Sequence, residues 1–168
     1  TGIEGRHADP NVFVQMDTYA VKGLQTGQIQ FLYAPTHLNP TYEYGVTFER
    51  GTAVTYGDRK QIFISGTASI DNQGEIMYPG DILKQTERML ENIDTLLQEA
   101  GGGLQDIMQA IVYLRDPADY VVVKQYIESR YPSFLHLIVH APVCRPGWLI
   151  ETECIAVIPA DAPQYAYL

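Results

Sequence analysis

The sequence predicts an α+β domain in which one sheet carries two helices on a single face. Three observations lead there. Strand-like and helix-like segments follow the order strand, strand, helix, strand, helix, strand, strand across residues 46–160. Both helical segments are one-sided, so together they can cover only one face of a sheet of this size. The chain is also long and apolar enough to bury one ordinary core, with 168 residues, 46% of them hydrophobic and 18% charged.

Residues 11–34 alternate weakly, "VFVQMDTYAV" and then "QIQFLYA" around "KGLQTGQ", which predicts an opening hairpin. "PTHLNPTYEYG" follows, a connecting loop by its two prolines, asparagine and closing glycine. Residues 1–45 therefore read as an N-terminal extension or the end of a preceding domain, 46–160 as the main domain and 161–168 as a tail. The main domain opens with a strand pair, "VTFERGTAVTY" and "QIFISGTASI", turned by "GDRK". Asp81 then caps the clearest helix, with Ile82, Leu83, Met89, Leu90, Ile93, Leu96 and Leu97 at helical spacing and a stop at Gly101–Gly103. "DIMQAIVYLR" predicts a strand. A second helix, "DPADYVVVKQYIESRYP", has Asp116 as cap, Pro117 in its first turn and Pro132 beyond its end. The strands "LHLIVH" and "GWLIETECIAVI" close the domain.

A net charge of −9 repels a phosphate backbone, and no basic run exceeds "DRK", so nucleic acid is not an expected partner. Runs such as "AIVYL" and "YVVV" are too short to span a membrane, and no signal-like apolar segment opens the chain. Two cysteines ten residues apart, before and within one predicted strand, do not make a disulfide framework, and a reducing cytoplasm is the expected compartment. The four histidines have no zinc spacing, "GGGLQD" lacks the lysine and Ser/Thr of a phosphate loop, and no metal or cofactor is expected. The opening "TGIEGRHADP" lacks a methionine, compatible with a processed chain, an excised domain or a fusion remnant; a fragment of a longer protein is the expectation.

The final strand raises the functional question. At period two, Trp148, Ile150, Thr152, Cys154, Ala156 and Ile158 share one mostly apolar face, and Leu149, Glu151, Glu153, Ile155 and Val157 share the other. Carboxylates in mid-strand are costly unless they meet a cation, a donor, a cavity or another subunit. The two helices leave this second face uncovered, and its leucine, isoleucine and valine predict contact with another subunit.

The run from "IFISGTASI" through "GDILKQTERMLENIDTLL" to "LIETECIAVI" resembles the YjgF/Rid (reactive intermediate deaminase) family over roughly residues 46–160. The resemblance implies a chorismate-mutase-like fold, trimeric, with clefts between neighbouring subunits. Members that deaminate imines carry an arginine in a "P-x-R-S/T" context after the second helix. Here "PSFLHLIVH" puts His136 near that place, which implies weak imine deaminase activity, because histidine lacks the bidentate fork of arginine. A narrower likeness, in "YEYGVTFER", "ISGTASI" and the "CR" ahead of "LIETE", is to the C-terminal half of chorismatases. It implies hydrolysis of an enol ether with release of pyruvate, and packing either as a homotrimer or against an additional N-terminal domain.

On that resemblance Glu151 is the candidate general acid, since a carboxyl in a partly dry cleft keeps its proton toward neutral pH. Arg145 and Arg50 are candidates for gripping a small-molecule carboxylate. Cys144 and Tyr44 would line the same pocket. Gly66 and Thr67, in "SGTAS", sit where a backbone turns or approaches a ligand. Glu153 reads as structural. The alternatives are a non-catalytic metabolite-binding or structural domain, an imine or enamine deaminase and, against the acidic charge, the ribonuclease activity sometimes attached to the family.

Overall fold

The computed structural model describes residues 1–5 and 7–167 and, of Tyr44, the backbone alone. Six strands form one sheet: β1 (Ile29–Leu32), β2 (Gly51–Thr55), β3 (Arg59–Ala68), β4 (Ile107–Leu114), β5 (His136–His140) and β6 (Ile150–Pro159). Their spatial order is β1-β2-β3-β6-β4-β5. Every neighbouring pair is antiparallel except β4 and β5. Helix α1 (Ile82–Glu99) connects β3 to β4, and α2 (Tyr120–Arg130) makes the crossover that the parallel β4–β5 pair requires. This is the expected α+β architecture.

Local chemistry explains the helix limits. Asp81 accepts from the Lys84 amide at 3.0 Å, satisfying one of the donors left open at the start of α1. At the other end Gly101 takes φ +89°, its amide reaches the Gln98 carbonyl, and the Gly102 amide reaches that of Leu97 at 2.9 Å. This pairing closes a helix with a left-handed residue, which glycine adopts at least cost. Asp116 accepts from Ala118 with Pro117 behind it, and the chain passes through a short 3₁₀ turn, Pro117–Asp119, into α2.

The core lies between α1, α2 and one face of the sheet, with Met89, Leu90, Ile93, Leu96 and Leu97 of α1 buried against Ile62, Ile64, Val112, Ile150, Cys154 and Ala156. Leu83, assigned to the apolar stripe, is 38% exposed, one position outside the buried arc. From α2 only Val123 and Ile127 are fully buried. Asn92 is a polar group inside this core. Its amide donates to the carbonyls of Ala68 and Ile70, both at 3.0 Å, and so ties α1 to the end of β3.

Three expectations are corrected. No hairpin forms over residues 11–34: residues 11–20 have no regular structure, and Ile29–Leu32 pairs with β2 as an edge strand of the main sheet. Residues 46–50 are not strand either, so Arg50 stands just before β2. The last strand starts at Ile150, leaving Trp148 on the loop that leads into it. Hydrophobic alternation cannot resolve strand from extended loop where the partner is lacking.

Asn92→Ala would remove one donor from each of two carbonyls, which keep the Ile70 amide and the Arg88 guanidinium as partners, and would open a small void that cuts α1 loose from the end of β3. It is expected to destabilise the fold by about 2 to 4 kcal/mol in urea unfolding, against less than about 0.5 kcal/mol for an exposed substitution.

Candidate active site

Strand β6 lies between β3 and β4, which puts both its carboxylates in mid-sheet. Glu151 pairs across to Ala68 on one side and Tyr113 on the other. It lies on the face opposite the helices, as the period-two reading predicts. There it is 4% exposed, and its Oε2 has no hydrogen-bond partner among the described residues.

Space for the carboxyl comes from an irregularity in β3. Between Ile64, which pairs with Cys154, and Thr67, which pairs with Thr152, β3 has one residue more than β6. The extra length falls at Ser65–Gly66. A Cβ added to Gly66 would stand 2.0 Å from Glu151 Oε1, so only glycine lets the carboxyl lie over the strand backbone.

A cavity of about 370 Å³ opens beside it, walled by Glu151, Gly66, Arg50, Cys144 and Arg145. Five of the seven residues singled out in the sequence therefore meet at one place. Apolar walls come from Val46, Phe48, Ile70 and Trp148, and Thr1 and Gly2 lie at the rim. Thr67 does not line this cavity. It follows the bulge, buried on the helix side with its hydroxyl donating to the Ser65 carbonyl. The Tyr44 side chain lies outside the described residues.

Arg50 is 5% exposed, and its Nη2 donates to the carbonyl and side-chain oxygens of Asn39 at 2.9 and 3.0 Å. Arg145 donates to the Gly74 carbonyl and lies 5.1 Å from the Trp148 ring centroid, a cation–π contact. Cys144 is exposed, with its Sγ 3.4 Å from the Gly2 carbonyl. Cys154, on the helix side, is a buried thiol pushed up to about 12 by burial and then by Glu153, and is therefore inert.

Burial also acts on Glu151. Its pKa is pushed up to about 7, first by desolvation, with the Thr1 ammonium opposing and the negative charge of Glu153 adding to the rise. The result is a carboxyl that still carries a proton near neutral pH, in a cavity that Arg50 and Arg145 also line.

Residues to which the sequence reading gave no site role hold the rest of the site. Arg115 donates to the carbonyls of Val143, Arg145 and Trp148 at 2.6 to 2.8 Å. Gln85 of α1 donates to the Gly147 carbonyl and accepts from the Leu149 amide. Between them they fasten the loop that carries Cys144, Arg145 and Trp148. A polar side chain on the buried stripe of a helix, as Gln85 is, was the signal available. His136 is elsewhere, on β5, with its Nδ1 2.8 Å from the Phe134 carbonyl, and it does not line the cavity.

The family model described as endoribonuclease L-PSP matches residues 51–158, which hold the whole sheet except β1 and the end of β6, both helices, and Gly66, Cys144, Arg145 and Glu151. The chain belongs to the endoribonuclease L-PSP family. This is the YjgF/Rid family of the sequence resemblance. One relative in the family, the 3-aminoacrylate deaminase RutC of Acinetobacter baylyi, is 31% identical over 97 residues, 56% of this chain and 77% of its own. RidA from an Antarctic Psychrobacter has the same fold at 24% identity, with TM-score 0.63 over 77% of this chain and 99% of that one. A chorismatase structure aligns with TM-score 0.68 and 23% identity, over 76% of this chain but 43% of the chorismatase. At these identities the two structures speak to the fold. Among the described residues no helix is long and apolar enough to cross a membrane.

Two outcomes follow from the geometry. A carboxyl whose folded pKa is raised binds its proton more tightly folded than unfolded, so it contributes stability below about pH 4.5 that is lost as the pH rises to about 7. Glu151→Gln avoids that loss. It is expected to match the parent at pH 4 and to exceed it by up to about 3 kcal/mol at pH 8 in urea unfolding. Gly66→Ala must displace the Glu151 carboxyl toward solvent, and glutamate-labelled NMR should then show Glu151 titrating closer to the ordinary carboxylate range.

Proposed function

We propose that this domain hydrolyses a carboxylate-bearing vinyl substrate, by the chorismatase-like cleavage of an enol ether that releases pyruvate. One observation carries the reading: a buried carboxyl that keeps its proton near neutral pH, set in a cavity with two guanidinium groups. Water hydrolyses an enol ether slowly because protonation of its methylene carbon is uphill. Glu151 would supply that proton. The carbon–oxygen double bond of the resulting oxocarbenium ion is then attacked by water, the new Glu151 carboxylate takes the water's proton, and the hemiketal collapses to pyruvate and the alcohol.

Arg145 and Arg50 would hold the substrate carboxylates and keep them from crowding Glu151. Phe48 and Trp148 offer apolar walls to the remainder of the substrate, and about 370 Å³ suits a ring-bearing dicarboxylate better than a three-carbon acid. Cys144 would line the alcohol side. The open sheet face, with Leu149, Ile155 and Val157 half-buried, is read as the contact to further subunits of a trimer or to a preceding domain.

A second reading is deamination of an enamine. The Acinetobacter relative, a 3-aminoacrylate deaminase, favours it, and the first step would be the same carbon protonation by Glu151. The absence of arginine at His136 weighs against efficient imine deamination in this chain.

Incubation with chorismate and with 3-aminoacrylate, following pyruvate and ammonia, separates the two readings. Pyruvate from chorismate supports the first. Ammonia alone supports the second, and neither product leaves a binding or structural domain. In whichever reaction is seen, Glu151→Gln should lose turnover by about two to four orders of magnitude while still binding substrate. Full turnover in that variant would make the carboxyl a structural group.

A further inference from the structure

Glu151 and Glu153 stand on the same face of β6, about 6.6 Å apart along the strand. Their surroundings differ. Tyr113 on β4 is the cross-strand partner of Glu151, yet its side chain reaches diagonally and its hydroxyl donates to Glu153 Oε1 at 2.8 Å. Glu153 is also less deeply buried, and beside it lies a second cavity into which Asp17 and Tyr19 face. Glu151 is deeper, over Gly66, with an oxygen that no donor reaches among the described residues.

A donated hydrogen bond stabilises an ionised carboxylate, and burial without a donor stabilises the neutral acid. A neighbouring negative charge makes ionisation of Glu151 more costly. We propose that Tyr113 and Glu153 are a positioning pair: the Tyr113 hydroxyl fixes the Glu153 carboxylate on the Glu151 face of β6, and that fixed charge helps to keep the proton on Glu151. This rests on the reading of Glu151 as the proton donor and adds what keeps that donor loaded.

Other charged and titratable groups line the same cavity. Arg50 lies in the segment before β2, Arg145 and Cys144 in the loop before β6, and the Thr1 ammonium at the rim. Of the cations among them, the Thr1 ammonium favours the carboxylate. Glu153 opposes it from its own strand, and the raised phenol of Tyr113, pushed up by burial and by its bond to Glu153, remains a donor throughout the working range.

The test is a site-resolved titration of Glu151 in protein labelled with carboxyl-¹³C glutamate, the resonance assigned by its loss in Glu151→Gln. Removing the neighbouring charge with Glu153→Gln is expected to lower the midpoint by about half a pH unit or more. Tyr113→Phe should lower it too, by less, because the Glu153 carboxylate is then free to turn toward solvent and away from Glu151. Melting temperatures near the parent's would separate this from a general loss of structure. Midpoints within about 0.2 pH unit of the parent in both variants would overturn the proposal. Because the titration uses no substrate, shifted midpoints in a protein that turns over neither chorismate nor 3-aminoacrylate would retain the pair and remove the functional reading alone.

Discussion

Insertion of the last strand between β3 and β4 is the constraint on which the site depends. The chain completes its sheet from the inside, so β6 is hydrogen-bonded along both edges and its side chains fall at the centre of the sheet. On the helix side this suits Ile150, Cys154 and Ala156, which join the core. On the other side it forces two carboxylates into mid-sheet, where ionised groups are expensive. One of them is met by a phenol. The other is left buried at the wall of a cavity, where desolvation raises its pKa to about 7.

The cavity persists because unrelated parts of the chain are fastened around that strand. Gly66 stands where β3 gains a residue, and the missing Cβ is the space that Glu151 fills. Asn92 holds the end of β3 from one turn of α1, and Gln85, two turns earlier, holds the loop before β6. Arg115, just past β4, holds the same loop from the opposite side through three carbonyls. Polar residues along a buried helix stripe would weaken the core if they packed only against apolar neighbours. Here Gln85 and Asn92 bond instead to backbone groups of the loop before β6 and of the end of β3. Asp81, Gln85 and Asn92 thus have separate tasks: one starts the helix, and the other two attach it to the walls of the site.

Much of this was legible in the order of residues. Helix α1 was legible from cap to glycine stop, because capping and left-handed closure are local chemistry. The two faces of β6 were legible from period-two alternation, and Glu151, Arg145 and Cys144 came into view because a strand so apolar should not carry those groups idly. The failures share one cause. Residues 11–20 alternate like a strand but have no neighbour to pair with, while Ile29–Leu32 finds its neighbour in β2 rather than in the preceding segment. Thr67 was placed with Gly66 on one wall, and the added residue in β3 turned it to the helix side instead.

By itself, then, the sequence determined the class of fold, the helix limits, the buried stripe of α1 and the two opposed faces of the last strand, since all of these follow from short-range periodicity and capping. Strand order was left to the tertiary structure, because alternation says which face a residue takes and nothing about which strands flank it. The meeting of Arg50, Gly66 and Arg145 with Glu151, and the different fates of two carboxylates only two residues apart, were likewise decided there. Those depend on distances between residues as much as a hundred positions apart, on burial that no single segment can supply, and on a hydrogen bond from Tyr113 that exists only because β4 lies beside β6.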